Sequence, residues 1–121
     1  MATLTGAQVV ALGRKIAGLM GNDEPLLQRV RDAAERAGED VWPLPLPRQY
    51  LSQLDSEVAG SRGQAGALVA GLFLQEFVDG VPWAHLDIAG PARSESNDGY
   101  VTKGGTGFAV RTLVELVTGF G

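Results

Sequence analysis

A single imidazole, His85, and a carboxylate two residues on, Asp87, stand in the apolar run from Trp83 to Ile88. Alternation along a strand places both on one face, opposite Ala84 and Leu86. An imidazole beside a carboxylate suits general-base catalysis, but the sequence holds no cysteine and no Gly-x-Ser-x-Gly elbow to present a nucleophile. The residues therefore favour a partly buried His with a hydrogen-bond partner over a catalytic one. Asp87 is the carboxylate nearest a strand C-terminus, where α/β proteins bind ligands. One Asp makes no metal site, and one His with no Cys excludes multi-histidine and thiolate zinc centres within these residues. Asp32 and Glu35 sit among Arg29, Arg31 and Arg36, the pattern of a solvated, ion-paired helix face. No clustered set of hard oxygen ligands stands out.

Lys103-Gly104-Gly105-Thr106-Gly107 leads into an apolar-periodic segment, and free amides at a helix start can hold an anion. The Lys precedes the glycines and no Gly-Lys-Ser/Thr follows, so the Walker pattern is absent. A tight loop-to-helix turn capped by Thr106 fits better. Ten Lys+Arg against fourteen Asp+Glu give a net charge of -4, the wrong sign for a domain that neutralises phosphates. Nucleic acid is excluded as the expected partner. The uncharged stretch from Gly63 to Gln75 is too short to span a membrane, and the first residues lack the basic region of a signal peptide.

These groups need elements to position them. Leu26, Leu27, Val30, Ala33, Ala34 and Ala37 recur at helical spacing after Asn22-Asp23-Glu24-Pro25 and before Gly38, which predicts a capped helix. Val41 to Pro47 carries prolines at alternate positions and reads as an extended connector into a short helix through Tyr50, Leu51 and Leu54. A second helix is expected from about Gln64, with Ala65, Leu68, Val69, Leu72, Phe73 and Phe77 on one face and Gln75, Glu76 and Asp79 off it. Its small residues Gly66, Ala67, Ala70 and Gly71 permit a close neighbour. Trp83 to Ile88 reads as a strand between Gly80-Val81-Pro82 and Ala89-Gly90-Pro91. A last helix carries Phe108, Val110, Leu113, Val114 and Val117. Thr3 to Gly6 reads as a tight turn, Ala7 to Leu12 as a helix and Ile16 to Met20 as a strand. With 121 residues, 45% hydrophobic and 20% charged, residues 1–121 are expected to form one unit. The expected fold class is α/β: a partial three-layer α/β/α domain with helices on a small, mostly parallel or mixed sheet.

Three strings carry a resemblance. Ala2-Thr3-Leu4-Thr5-Gly6-Ala7, then Trp83-Ala84-His85-Leu86-Asp87-Ile88-Ala89-Gly90-Pro91-Ala92, then Gly104-Gly105-Thr106-Gly107-Phe108 with Val110-Arg111-Thr112-Leu113, resemble the leucyl (cytosol) aminopeptidases in content and order. Asp40-Val41-Trp42 with Leu44-Pro45-Leu46, and Gly66-Ala67 with Phe73-Leu74 and Phe77, are similar too. The stretch after Asp55-Ser56 departs from the family, which has an Ala-Asp pair and a longer loop where this chain has Ala59-Gly60-Ser61-Arg62-Gly63-Gln64.

The resemblance implies the C-terminal part of the catalytic domain of a dinuclear metallopeptidase that releases N-terminal residues, often leucine, from peptides. It implies two divalent cations, manganese or zinc, in the full-length enzyme. Their ligands, with a catalytic Lys and Arg, lie in family motifs upstream of the segment matching Ala2 to Ala7. By that resemblance these residues bind no metal and supply no catalytic group, and the chain is expected to be a truncated portion, inactive alone. Thr3, Leu4 and Gly6 match positions that contact bound peptide, and Ala89 and Ala92 match walls of the pocket for its first side chain. Small residues there leave room for an apolar side chain. His85 and Asp87 fall in the family string as structural residues. Peptide substrate, no membrane, a homohexamer when full length and a cytoplasmic location are likewise implied. The alternative is a non-catalytic binding or assembly module built on that fold, with unpaired sheet edges or an apolar patch.

Overall fold

The computed structural model of the chain describes residues 15–46, 66–97, 99, 101 and 103–120. Among them the elements run β1 (Ile16–Gly21), α1 (Glu24–Ala37), β2 (Asp40–Pro43), α2 (Gly66–Gln75), β3 (Ala84–Asp87), β4 (Arg93–Ser94), β5 (Gly104–Gly105) and α3 (Val110–Thr118). The expected turn at Thr3 to Gly6, helix at Ala7 to Leu12 and helix through Tyr50 to Leu54 lie outside the described residues.

β1 is uncharged and central, and its Ala17, Leu19 and Met20 are buried. It pairs parallel with β2 and antiparallel with β3, so the sheet is mixed, in the order β2-β1-β3. Val41 to Pro43, the start of the expected connector, belong to a strand instead, and Pro47 lies outside the described residues. Pro43 lacks an N–H, and the edge position of β2 tolerates that loss. Leu44 N–H continues the pairing by donating to Leu19 O at 2.8 Å.

α1 begins and ends where its punctuation dictates. The Asp23 carboxylate accepts from Leu26 N at 3.0 Å, Pro25 lies in the first turn, and Gly38 closes the helix in the left-handed conformation at φ 72°. Val30, Ala33 and Ala34 are its buried face.

The two faces of the sheet carry different helices. Register sets Met20 beside His85 and Gly18 beside Asp87, so all four share a face. A Cβ on Gly71 would stand 2.9 Å from Met20 Sδ, which puts α2 against that face. A Cβ on Gly21 would stand 2.7 Å from Leu27 Cδ2, which puts α1 on the other. α3 lies against α1, with Arg36 Nε 3.3 Å from Glu115 Oε2 and the Arg29 guanidinium 4.6 Å over the Phe120 ring. The result is a small α/β unit with helices on both faces of a mixed three-stranded sheet, as the residue pattern predicts.

α2 buries only part of its apolar face. Val69, Gly71 and Leu72 are buried, whereas Phe73 and Phe77 are exposed and meet edge-on with centroids 5.2 Å apart. Gly71 explains this: with no side chain it lets the helix settle onto Met20, and the bulkier Phe73 is turned outward. Phe77 lies past the helix end. Among the described residues no helix is long and apolar enough to cross a membrane.

Candidate substrate wall

The carboxyl end of β3 runs into a turn that carries Ala89 and Ala92. Asp87 Oδ1 accepts from Ala89 N at 3.0 Å and fixes the start of that turn, while Ala92 N donates to Ile88 O at 2.9 Å and closes it. The loop before α3 holds the far side. Thr106 Oγ1 donates to Pro91 O at 2.6 Å, Thr106 N donates to Ala92 O at 2.9 Å, and β5 pairs antiparallel with β4. Ala89 is exposed and Ala92 half-buried. Ala89, Gly90 and Pro91 open on a groove of about 1640 Å³ lined also by Phe108 and Val110 and by the charged Lys15, Asp40, Arg93 and Lys103; Ala92 stands behind the turn and is not among the lining residues. The groove lies off the carboxyl end of β3, which is the amino end of β1 and β2. Thr3, Leu4 and Gly6 lie outside the described residues.

His85 and Asp87 share a face, as alternation predicts. His85 is half-buried and its ring stacks on Trp83, 6.1 Å between centroids and 15° between planes. Asp87 serves the turn. On the exposed face of α1, Arg31 pairs with Glu24 rather than with Asp32 or Glu35, and Gln28 Nε2 donates to Asp32 Oδ1 at 2.9 Å. Among the described residues no group of three or more His, Asp or Glu side chains could hold a metal ion.

The start of α3 departs from the expected Thr106 cap. Thr106 Oγ1 accepts from Phe108 N at 3.1 Å and so caps the turn before the helix. The helix itself is capped from a distance by Glu39, buried between α1 and β2. Its carboxylate accepts from Ala109 N at 3.2 and 3.0 Å, from Thr112 N at 3.1 Å and from Thr112 Oγ1 at 2.7 Å. Arg111 Nη2 stands 3.9 Å from the same group. Charge at a helix N-terminus and several donors on one carboxylate make this burial favourable. The amides that an exogenous anion would use are therefore occupied by the protein's own side chain. Ala109, the N-cap residue, sits at φ 78°, a conformation costly for a residue with a Cβ. Neither the role of Glu39 nor the conformation of Ala109 is marked by a local motif.

Over residues 1–114 the chain matches the family described as "Cytosol aminopeptidase family, catalytic domain". A "Probable cytosol aminopeptidase" from Streptomyces avermitilis is 54% identical over 123 residues, covering 96% of this chain and 24% of that protein. A protein of the same description from Synechococcus sp. (strain JA-3-3Ab) is 51% identical over 121 residues, covering 97% and 24%. Among solved structures, "Bottromycin maturation enzyme BotP in complex with Mn" aligns with a TM-score of 0.82 and 46% identity, covering 98% of this chain and 28% of that one. A mutant of tomato leucine aminopeptidase aligns with a TM-score of 0.76 and 41% identity, covering 94% and 23%. The chain thus spans about a quarter of the length of the curated relatives it matches.

Proposed function

Because this chain belongs to the cytosol aminopeptidase family and is a portion of its catalytic domain, we propose that residues 1–121 form the C-terminal part of that domain and act as the substrate cradle of an enzyme that releases N-terminal residues, leucine among them, from peptides. The observation that carries this reading is the pinned turn at the end of β3. Ala89 and Ala92 are held from one side by Asp87 and from the other by Thr106, and Ala89 lines the groove on which the turn opens. A wall of methyl groups excludes water from an apolar side chain without filling its space. Thr3, Leu4 and Gly6 complete the cradle in this reading, Gly6 by letting a peptide carbonyl approach its amide closely.

The described residues do not fit a dinuclear metal centre. In this reading both cations, manganese or zinc, are held by residues outside this sequence. The relative solved in complex with Mn supports manganese as one choice. The chain alone is then inactive, and the full-length protein acts on peptides as a homohexamer in the cytoplasm. The name shared by the relatives supports that location.

A hybrid enzyme tests the reading. The matching quarter of the Streptomyces avermitilis relative is replaced by this chain, and turnover of leucine amide is measured with manganese. The hybrid is expected to be active, and Ala89→Leu with Ala92→Leu is expected to raise KM for leucine amide at least tenfold while sparing alanine amide. A folded, metal-loaded hybrid without turnover, or one whose preference ignores both substitutions, refutes the cradle. The chain alone is expected to show no turnover with added manganese or zinc, and sustained turnover overturns its inactivity.

One observation favours the second reading, a non-catalytic assembly module. Val110, Leu113, Val114 and Val117 form a stripe along α3 at i, i+3, i+4 and i+7, and each is about half exposed or more, from 49% to 69%. A lone stripe of this kind marks an interaction surface.

A further inference from the structure

We infer that Glu39 is a positioning residue for the substrate wall: its buried carboxylate locks the start of α3, and through the loop before that helix sets the turn that carries Ala89 and Ala92. This rests on the proposed role of that turn as a pocket wall.

The links are continuous. Glu39 takes the Ala109 and Thr112 amides and the Thr112 hydroxyl, which fixes the first turn of α3 in space. Ala109 is the next residue after Phe108, whose amide is held by Thr106 Oγ1. The same hydroxyl donates to Pro91 O, and the Thr106 amide donates to Ala92 O. The chain's own connectivity does not supply this tie, because Glu39 and Ala109 are 70 residues apart.

Ala109 shows that the arrangement is imposed. An alanine at φ 78° relaxes unless its surroundings hold it, and the groups that hold its amide are the two oxygens of Glu39. Removing the charge at position 39 therefore frees Ala109 to return to an ordinary conformation, which shifts Phe108 and with it the Thr106 contacts to the wall. A carboxylate that served only to stabilise the fold would loosen all parts alike. A positioning role is local, and coupling measured along the connected residues is what demonstrates it.

The test is amide hydrogen exchange on the 121-residue chain and its variants Glu39→Gln, Thr112→Val and Thr112→Ser. Exchange of the Ala92 and Thr106 amides, which close the wall, is compared with that of Asn22 and Leu44, which bond across the sheet to Trp83 O and Leu19 O. Glu39→Gln is expected to speed exchange at Ala92 and Thr106 about tenfold or more relative to Asn22 and Leu44, since local opening is then easier than global opening. Thr112→Val is expected to do the same to a smaller degree, and Thr112→Ser, which keeps the hydroxyl donor, to restore the parent rates. Equal acceleration at all four amides, or none at Ala92 and Thr106, overturns the inference. If Glu39→Gln does not fold, the contrast between Thr112→Val and Thr112→Ser decides it. Exchange reports how firmly the wall is held closed whether or not the wall meets a peptide, so it separates this inference from the hybrid-enzyme test of the cradle.

Discussion

Gly21, the last residue of β1, faces Ala84 of β3 with no room for a side chain. A Cβ built there stands 2.4 Å from Trp83 O, 2.7 Å from Leu27 Cδ2 and 3.3 Å from Ala84 Cα. A carbon and a carbonyl oxygen in favourable contact are about 3.3 Å apart, so Gly21→Ala forces a backbone displacement of about 0.9 Å. That movement is opposed by three hydrogen bonds. Asn22 N donates to Trp83 O at 3.1 Å, Trp83 N to Asn22 Oδ1 at 2.7 Å and Asn22 Nδ2 to Val81 O at 2.9 Å. Each contributes about 1 kcal/mol, overpacking against Leu27 adds about 1–3 kcal/mol, and alanine returns about 0.5–1 kcal/mol of chain entropy. With the bonds partly kept by relaxation, the net loss is about 3 kcal/mol, equivalent to about 12 °C in Tm for a unit of this size. Gly18→Ala is the control. Its Cβ meets only side-chain atoms, Leu44 Cδ1 at 2.8 Å first among them, and a leucine methyl can rotate away; the expected cost is about 1 kcal/mol or less. Thermal and urea unfolding followed by circular dichroism measure both. The reasoning is refuted if Gly21→Ala stays within about 1 kcal/mol of the parent, or if Gly18→Ala is as damaging.

Two further predictions concern the helices. Gly38→Ala is expected to cost about 1 kcal/mol from backbone strain alone, because φ is 72° and nothing lies within 4 Å of the new Cβ, and Gly38→Asn should recover part of it. An unchanged urea midpoint for the alanine variant shows that α1 ends differently. Val114→Lys, on the exposed stripe of α3, is expected to leave stability within about 0.5 kcal/mol and to lower any self-association seen by light scattering. A loss well above that shows the stripe to be covered by other parts of the chain.

What was legible in the sequence follows from how local each cause is. α1 could be bounded because Asp23, Pro25 and Gly38 each act within one helical turn of their own position. The strand at His85 was visible because alternation and flanking glycines and prolines are local as well. The buried face of α2 was not, because an apolar pattern ranks residues by size. Gly71 decides the contact by having no side chain, and it sets a small surface against Met20. Val41 to Pro43 are recognisably extended, but whether an extended segment pairs depends on a neighbour, β1, that lies some twenty residues earlier. Ala89 and Ala92 stood out as members of a family string; two alanines beside a turn carry no chemical signal of their own.

Glu39 marks the limit most clearly. In an acidic chain an acidic residue after a helix C-cap counts as surface, and its net charge argues against burial. The burial is favourable because α3 brings two amides, a hydroxyl and the positive end of its dipole to the carboxylate, and Arg111 adds a charge at 3.9 Å. The same contact explains why the glycine-rich loop before α3, which has the composition of an anion site, does not serve as one at the helix start. An exogenous anion would have to displace a tethered carboxylate already desolvated and fully hydrogen-bonded, and would leave that carboxylate buried without partners. The cost of the second step, several kcal/mol for an unpaired buried charge, exceeds what a surface anion gains at a helix terminus. The loop is thereby left to hold the wall at Pro91 and Ala92.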